Sequence, residues 1–104
     1  MQQVSPKRAV RFEVATADHK GAAVMVRPPT QPQLAHIQWR FHSVNEGRDN
    51  MGDAAYEACR AHVLSWEGMP GAPRDFDELP VKVAIEVASF IALGCQFTED
   101  DAKN

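Results

Sequence analysis

An α+β fold, with an N-terminal β-hairpin followed by about three helices in one small domain, is what this sequence predicts. Three observations predict it. Two alternating apolar runs near the N-terminus flank a polar turn. Two later stretches repeat an apolar residue every three or four positions. A nearly unbroken apolar run follows Pro80 and stops at a glycine. Strand periodicity is two and helix periodicity 3.6, so these patterns separate the two kinds of element.

In residues 9–15, Val10, Phe12 and Val14 point one way and Arg11 and Glu13 the other, the signature of a half-buried strand. Asp18-His19-Lys20-Gly21 supplies the turn, with Gly21 free to take a positive φ. Ala22 to Arg27 is the returning strand, with Val24 and Val26 on one face. The loop is longer than the tightest hairpin type. Pro28-Pro29 then ends the ladder, because proline has no N–H to donate.

Thr30 is a helix N-cap candidate, and Pro32 suits a first helical turn. Leu34, Ile37 and Phe41 share a helical face, which predicts a helix over 31–44; Ile37, Trp39 and Phe41 also alternate as a strand would. Gly47 to Asn50 is a polar break. Asn50 or Asp53 can cap a second helix, which the stripe Tyr56, Cys59, Val63 and Trp66 carries through about Trp66. The Gly- and Pro-dense segment from Glu67 to Pro73 reads as a loop.

Asp77 and Glu78 would favour the positive end of a helix dipole, and Pro80 suits its first turn. The run to Leu93 carries only Lys82, Glu86 and Ser89 as a narrow polar stripe. Val81, Val83, Ile85 and Val87 alternate too, but about fifteen unbroken residues suit a helix better than a strand. Gly94 is the candidate C-cap. So little polar surface implies burial on most sides, and in a domain this small it predicts a subunit interface. Residues 1–7 and 98–104 read as flexible tails of a single domain spanning 1–104.

The totals bound the function classes. In 104 residues, 44 % are apolar and 24 % charged, enough for one compact core. The net charge of -3 is uneven: residues 1–27 hold five basic against two acidic groups, and the remainder six against twelve. Such polarity is either an ordinary solvated surface or a guide for assembly. No stretch approaches a membrane span, the N-terminus lacks the apolar core of a signal peptide, and two cysteines are no disulfide scaffold. A soluble protein of a reducing cytoplasm is expected.

Candidate chemistry is sparse. Cys59 and His62 lie at i, i+3, but zinc needs two more ligands, and Cys95, His36 and His42 show no recognisable spacing. Packed side chains are the plainer reading. Asp75, Asp77 and Glu78 suit a helix start better than a pair of catalytic carboxylates, which would need an enclosing pocket. Neither Ser43 nor Ser65 lies in a nucleophile elbow, and no phosphate-cradling or dinucleotide motif occurs. Lys7, Arg8 and Arg11 with Phe12 form a small basic and aromatic patch, but the chain as a whole is acidic, so nucleic acid is not the expected partner. No enzyme activity, metal or cofactor is expected. Trp39 and Trp66 read either as core or as anchors at a protein interface.

The segment from Val63 to Ile91 resembles the tail assembly chaperones of long-tailed bacteriophages. The residues that carry the likeness are Val63-Leu64-Ser65-Trp66-Glu67-Gly68, then a loop through Pro70, Pro73 and Phe76, then a helix start near Leu79-Pro80. Upstream, Val26-Arg27-Pro28-Pro29-Thr30 is similar to the short strand and Pro-Thr helix start of the same family. The loop departs from the family pattern, being richer in Gly and Pro and poorer in charge. The resemblance implies a non-enzymatic role in the host cytoplasm: self-association, and binding of the tape-measure and major tail proteins during tail morphogenesis. The residues expected to meet partners are Trp39, Trp66, Glu67, Gly68, Phe76, Val83, Val87 and Phe90. The competing expectation is another small phage-encoded structural or host-protein-binding module.

Overall fold

A computed structural model describes residues 9–69 and 79–95. The chain runs β1 (Val10–Glu13), a short 3-10 turn (Ala17–His19), β2 (Ala23–Val26), α1 (Gln31–Asn45), α2 (Met51–His62), β3 (Val63–Glu67) and α3 (Val81–Ala92). The strands form one antiparallel sheet in the order β1-β2-β3. The α+β class, the hairpin and the three helices are as the sequence predicts.

The hairpin pairs Val10 with Val26 and Phe12 with Val24, so both alternating runs point into one core. Gly21 takes φ 89°, and Val14 and Ala22 lock the turn through Val14 N–H to Ala22 O at 2.8 Å. Thr30 and Gln33 make a reciprocal capping box at the start of α1, with Pro32 in its first turn. Asn50 caps α2 by accepting from the Asp53 N–H at 3.1 Å. Gly94, at φ 77°, ends α3 and directs its N–H to Ile91 O. The expected roles of Asp75, Asp77 and Glu78 fall outside the described residues, as do Phe76 and the expectation of flexible tails at 1–7 and 98–104.

Two expectations need correction. The second helix does not continue to Trp66. It stops at His62, and the next five residues are β3, which occupies the free edge of β2. The spacing misleads for a physical reason. Val63 pairs with Val26 and Trp66 with Val24, while Met25 pairs with Ser65, so a bulge at Leu64 interrupts the ladder. The bulge lets two residues three apart face the same side of the sheet, a spacing that a regular strand does not produce and a helix does. Leu64 itself is turned out to solvent.

The second correction concerns α3. Val83, Ala84, Val87, Ala88, Phe90 and Ile91 are all buried inside a single chain. α2 packs along one side of α3, Phe12 of β1 stacks on Phe90 with ring centroids 4.7 Å apart, and Gln38 of α1 donates to Ala92 O at 2.9 Å. Sheet, α2 and α3 therefore share one apolar core with Ile37 of α1. A helix of twelve residues is short enough for one small domain to enclose on three sides, so its greasiness does not require a neighbouring subunit.

α1 is the outlying element. Of its fifteen residues only Ile37 and Ser43 are buried. It leans on α2 and on the end of α3 along a narrow line, and the rest of its surface faces solvent.

Candidate functional site

The pairing of α1 with α2 sets an accessible cluster of polar groups beside a concave surface. It begins with the turn from Glu46 to Asn50, which brings the helices back antiparallel. Arg40 of α1 clamps that turn: its Nε donates to Asp49 Oδ2 and its Nη2 to Asp49 Oδ1, both at 2.7 Å. Its Nη1 donates to Glu57 Oε1 of α2 at 2.8 Å. The planar guanidinium suits this two-point grip, and the pairs are more than half shielded on the arginine side. His36, one turn before Arg40, lies 3.3 Å from the same Glu57 oxygen.

The Arg40 hydrogen bonds, helped by the Asn50 N–H, hold the Asp49 carboxyl well below its ordinary 3.8, at about 2. Arg40 pulls Glu57 in the same direction. Burial pushes the His62 imidazole below its ordinary 6.5. In each case the folded state holds its proton less tightly than the unfolded chain does. Stability from Asp49 and Glu57 is therefore full above their ordinary values and lost as pH falls toward 2. Stability tied to neutral His62 begins to fall once pH drops below about 6.5. The thermal midpoint, followed by circular dichroism from pH 7 to pH 2.5, is expected to decline in two stages. Arg40→Ala should flatten the lower stage and leave the upper one; a single stage unaffected by that change would contradict the assignment.

Beside the clamp, a cavity of about 290 Å³ opens between the helices. Pro32 and Ile37 of α1 and Ala58 and Ala61 of α2 give it apolar walls, with His36 and Glu57 at its lip. His62 lines it too, and that side chain belongs to a residue only 3 % exposed. Its Nδ1 lies 3.1 Å from Arg27 O. A carbonyl only accepts, so Nδ1 carries the proton and Nε2 keeps a lone pair. No described group hydrogen-bonds that Nε2. The cavity thus has apolar walls, with the buried His62 among its lining residues.

The residues expected to meet partners are scattered. Trp39 is 60 % exposed on α1, stacked beside His36 with centroids 6.1 Å apart. Trp66 packs half-buried against the core from β3, so its core reading holds. Glu67 is exposed at the end of that strand. Val83, Val87 and Phe90 are interior and cannot form a surface in this fold. The structure brings none of these together with Trp39. Pro32, His36, Ile37 and His62 stand out in the sequence for other reasons, but their meeting at one cavity has no sequence signal, because they come from two helices whose register only the fold supplies. Cys59 and His62, paired at i, i+3, diverge: the Cys59 Sγ donates to Ala84 O at 3.5 Å, and burial pushes its thiol up to about 12. Cys95 is likewise buried and pushed up to about 11. Among the described residues no three His, Cys, Asp or Glu side chains gather as a metal site, and no helix is long and apolar enough to cross a membrane.

Gly68 of the Trp-Glu-Gly run has a structural task. Its φ is 84°, and a Cβ there would lie 3.1 Å from Ala22 Cα. Gly68→Ala is expected to cost about 2 kcal/mol, from left-handed strain plus the backbone contact. Glu67→Ala, at an exposed position, should change stability by less than about 0.5 kcal/mol. Urea denaturation of the two variants checks the contrast, and equal midpoints would refute it.

Searches against protein-family models, curated proteins and solved structures found nothing that matches this chain.

Proposed function

We propose that this protein is a non-enzymatic assembly chaperone for the tail of a long-tailed bacteriophage, one that self-associates and binds the tape-measure and major tail proteins while the tail is built in the host cytoplasm. The motif Val63-Leu64-Ser65-Trp66-Glu67-Gly68 and the Pro-Thr helix start supply the link to that family. The single observation that carries the physical side is Trp39: a large aromatic left 60 % exposed on the least buried helix. A holding chaperone needs apolar surface that partners can cover and release. Buried α3 does not provide it, so the role passes to the outer face of α1 and the adjoining cavity. Tryptophan is the side chain most enriched where protein interfaces concentrate their energy. Leu93, 65 % exposed, adds apolar surface at the end of α3, which α1 reaches through Gln38.

Co-expression with the tape-measure protein encoded nearest the gene, followed by affinity capture of this chain, tests the reading. Retention of the tape-measure protein at stoichiometric level is expected, with loss of retention in Trp39→Ala. If folded wild-type protein retains neither tape-measure nor major tail protein, the chaperone reading fails. The alternative, a small phage-encoded structural or host-protein-binding module, then takes its place, since the same exposed tryptophan suits it.

A further inference from the structure

We infer that α1 is an acid-operated flap: when His62 gains a second proton, the N-terminal half of α1 lifts off α2 and uncovers Ile37 and the cavity walls, while its C-terminal half stays pinned through Arg40. The inference stands apart from the chaperone reading and involves no partner.

The trigger sits at a junction. His62 ends α2, its backbone O accepts from the Arg27 N–H at 2.7 Å, and its Nδ1 lies 3.1 Å from Arg27 O. The residue is 3 % exposed. Protonation puts a full charge there and makes Nε2 a donor for which no described group is an acceptor. The groups around it do not offset that charge. Arg27 repels it. Glu57, which with His36 lines the same cavity, is already engaged by Arg40 and by His36. Arg60 on its own helix, Glu67 of β3 and Lys82 of α3 are exposed, and Glu86 of α3 is held at Ala15 and Thr16. Burial keeps the imidazole below its ordinary 6.5 in the closed form, so the open form binds the proton more tightly. Each pH unit below 6.5 then favours opening by up to about tenfold, until the closed-form value is passed.

α1 gives way because it is held least. Only Ile37 and Ser43 of it are buried, whereas the opposite side of α2, with Ala55 and Cys59, lies in the core. Pro28 and Pro29 ahead of it have no N–H, so movement there breaks no donated bond. The bonds between Thr30 and Gln33 stay inside the first turn, which can travel intact. Beyond Ile37, this half reaches other elements through Gln38, which donates to Ala92 O, and through His36 beside Glu57. Protonated His36 is drawn to Glu57 and opposes the flap. The other half keeps its clamp in mild acid, because Arg40 grips Asp49, a carboxyl held at about 2.

Spin-label distances measured by double electron–electron resonance from about pH 7.5 to about pH 5, across the ordinary histidine range, test this. One label pair is Gln31→Cys with Ser65→Cys and the other Asn45→Cys with Ser65→Cys, all at exposed positions, with both native cysteines buried. The first pair is expected to gain a longer distance whose population ratio rises by up to about tenfold per pH unit. The second pair should not change. The rise should follow the His62 ring as titrated by NMR in the unlabelled chain, and should vanish in His62→Gln, whose amide still donates to Arg27 O but takes no charge. His36→Gln, which also serves if His62→Gln does not fold, should keep the opening and enlarge it. Unchanged distances while the His62 ring titrates overturn the inference, since water entering the cavity then suffices. Lengthening of both pairs together also overturns it, as does loss of the opening in His36→Gln.

Discussion

Phe90→Ala is expected to remove about 3–5 kcal/mol of stability, the range for truncating a buried aromatic, with roughly another 1 kcal/mol from its ring contact with Phe12. Phe90 is 5 % exposed, and its ring lies 4.7 Å from that of Phe12, tilted by 31°. This pair joins the central helix to the first strand, so the cavity left behind would sit between two layers that cannot readily close on it. A domain of this size holds about 5–15 kcal/mol in total. The variant should therefore lose a large share of its stability, lowering the thermal midpoint by more than about 10 °C. Urea denaturation should show a reduced midpoint with an unchanged slope. Phe90→Leu, which keeps most of the volume, should cost much less. The experiment separates two views of α3. If Phe90 were a partner-facing residue, truncation would alter stability by less than about 0.5 kcal/mol and act on association instead. Burial favours the first result.

How far the fold was legible in the sequence depended on how local each signal was. Thr30 caps α1 as the pattern implies, and of the two candidates at the start of α2 it is Asn50 that caps, accepting from the Asp53 N–H; these contacts are three residues apart. Gly21 and Gly94 take the positive φ that their positions suggest. The hairpin is legible because its register follows two alternating runs. β3 was not, because its pattern is a strand pattern with one residue inserted. With Leu64 as the bulge, Val63 and Trp66 acquire the spacing of a helical stripe, and only the unpaired edge of β2 shows which periodicity applies. The α3 helix was legible as a helix but not as a core element. Its composition fixes how much surface must be covered, and the arrangement of α2, β1 and α1 determines what covers it. Trp39 reads from the sequence either as core or as an interface anchor, and its 60 % exposure removes the core reading. The cavity next to it has no linear signal, since Ile37 and Ala58 meet only through the α1–α2 packing.

Glu86→Ala is expected to cost about 2–3 kcal/mol, although Glu86 belongs to the narrow polar stripe of α3 that composition alone would assign to solvent. The side chain is only half-exposed and spans seventy residues of sequence. Its Oε2 accepts from the Ala15 N–H at 2.6 Å, and its Oε1 accepts from the Thr16 N–H at 3.0 Å and the Thr16 hydroxyl at 2.6 Å. These groups lie where the chain leaves β1 for the 3-10 turn, so one carboxylate from the central helix ties down the hairpin loop. Bonds to a charged acceptor contribute about 1.5–3 kcal/mol each, but they share one side chain and do not add. Ala15 is exposed and can bond water instead, whereas Thr16 is partly shielded and loses more. Glu86→Gln, which keeps one acceptor oxygen without the charge, should fall between wild type and alanine. Hydrogen exchange gives the more specific readout: amides from Ala15 to Gly21 should exchange faster in Glu86→Ala, while those of α2 slow or hasten only with global stability. A Thr16→Ala and Glu86→Ala double-mutant cycle should yield a coupling of about 1 kcal/mol. Additive effects, with unaltered exchange in the loop, would mean that the carboxylate is solvated and that the turn holds itself through Val14 and Ala22 alone.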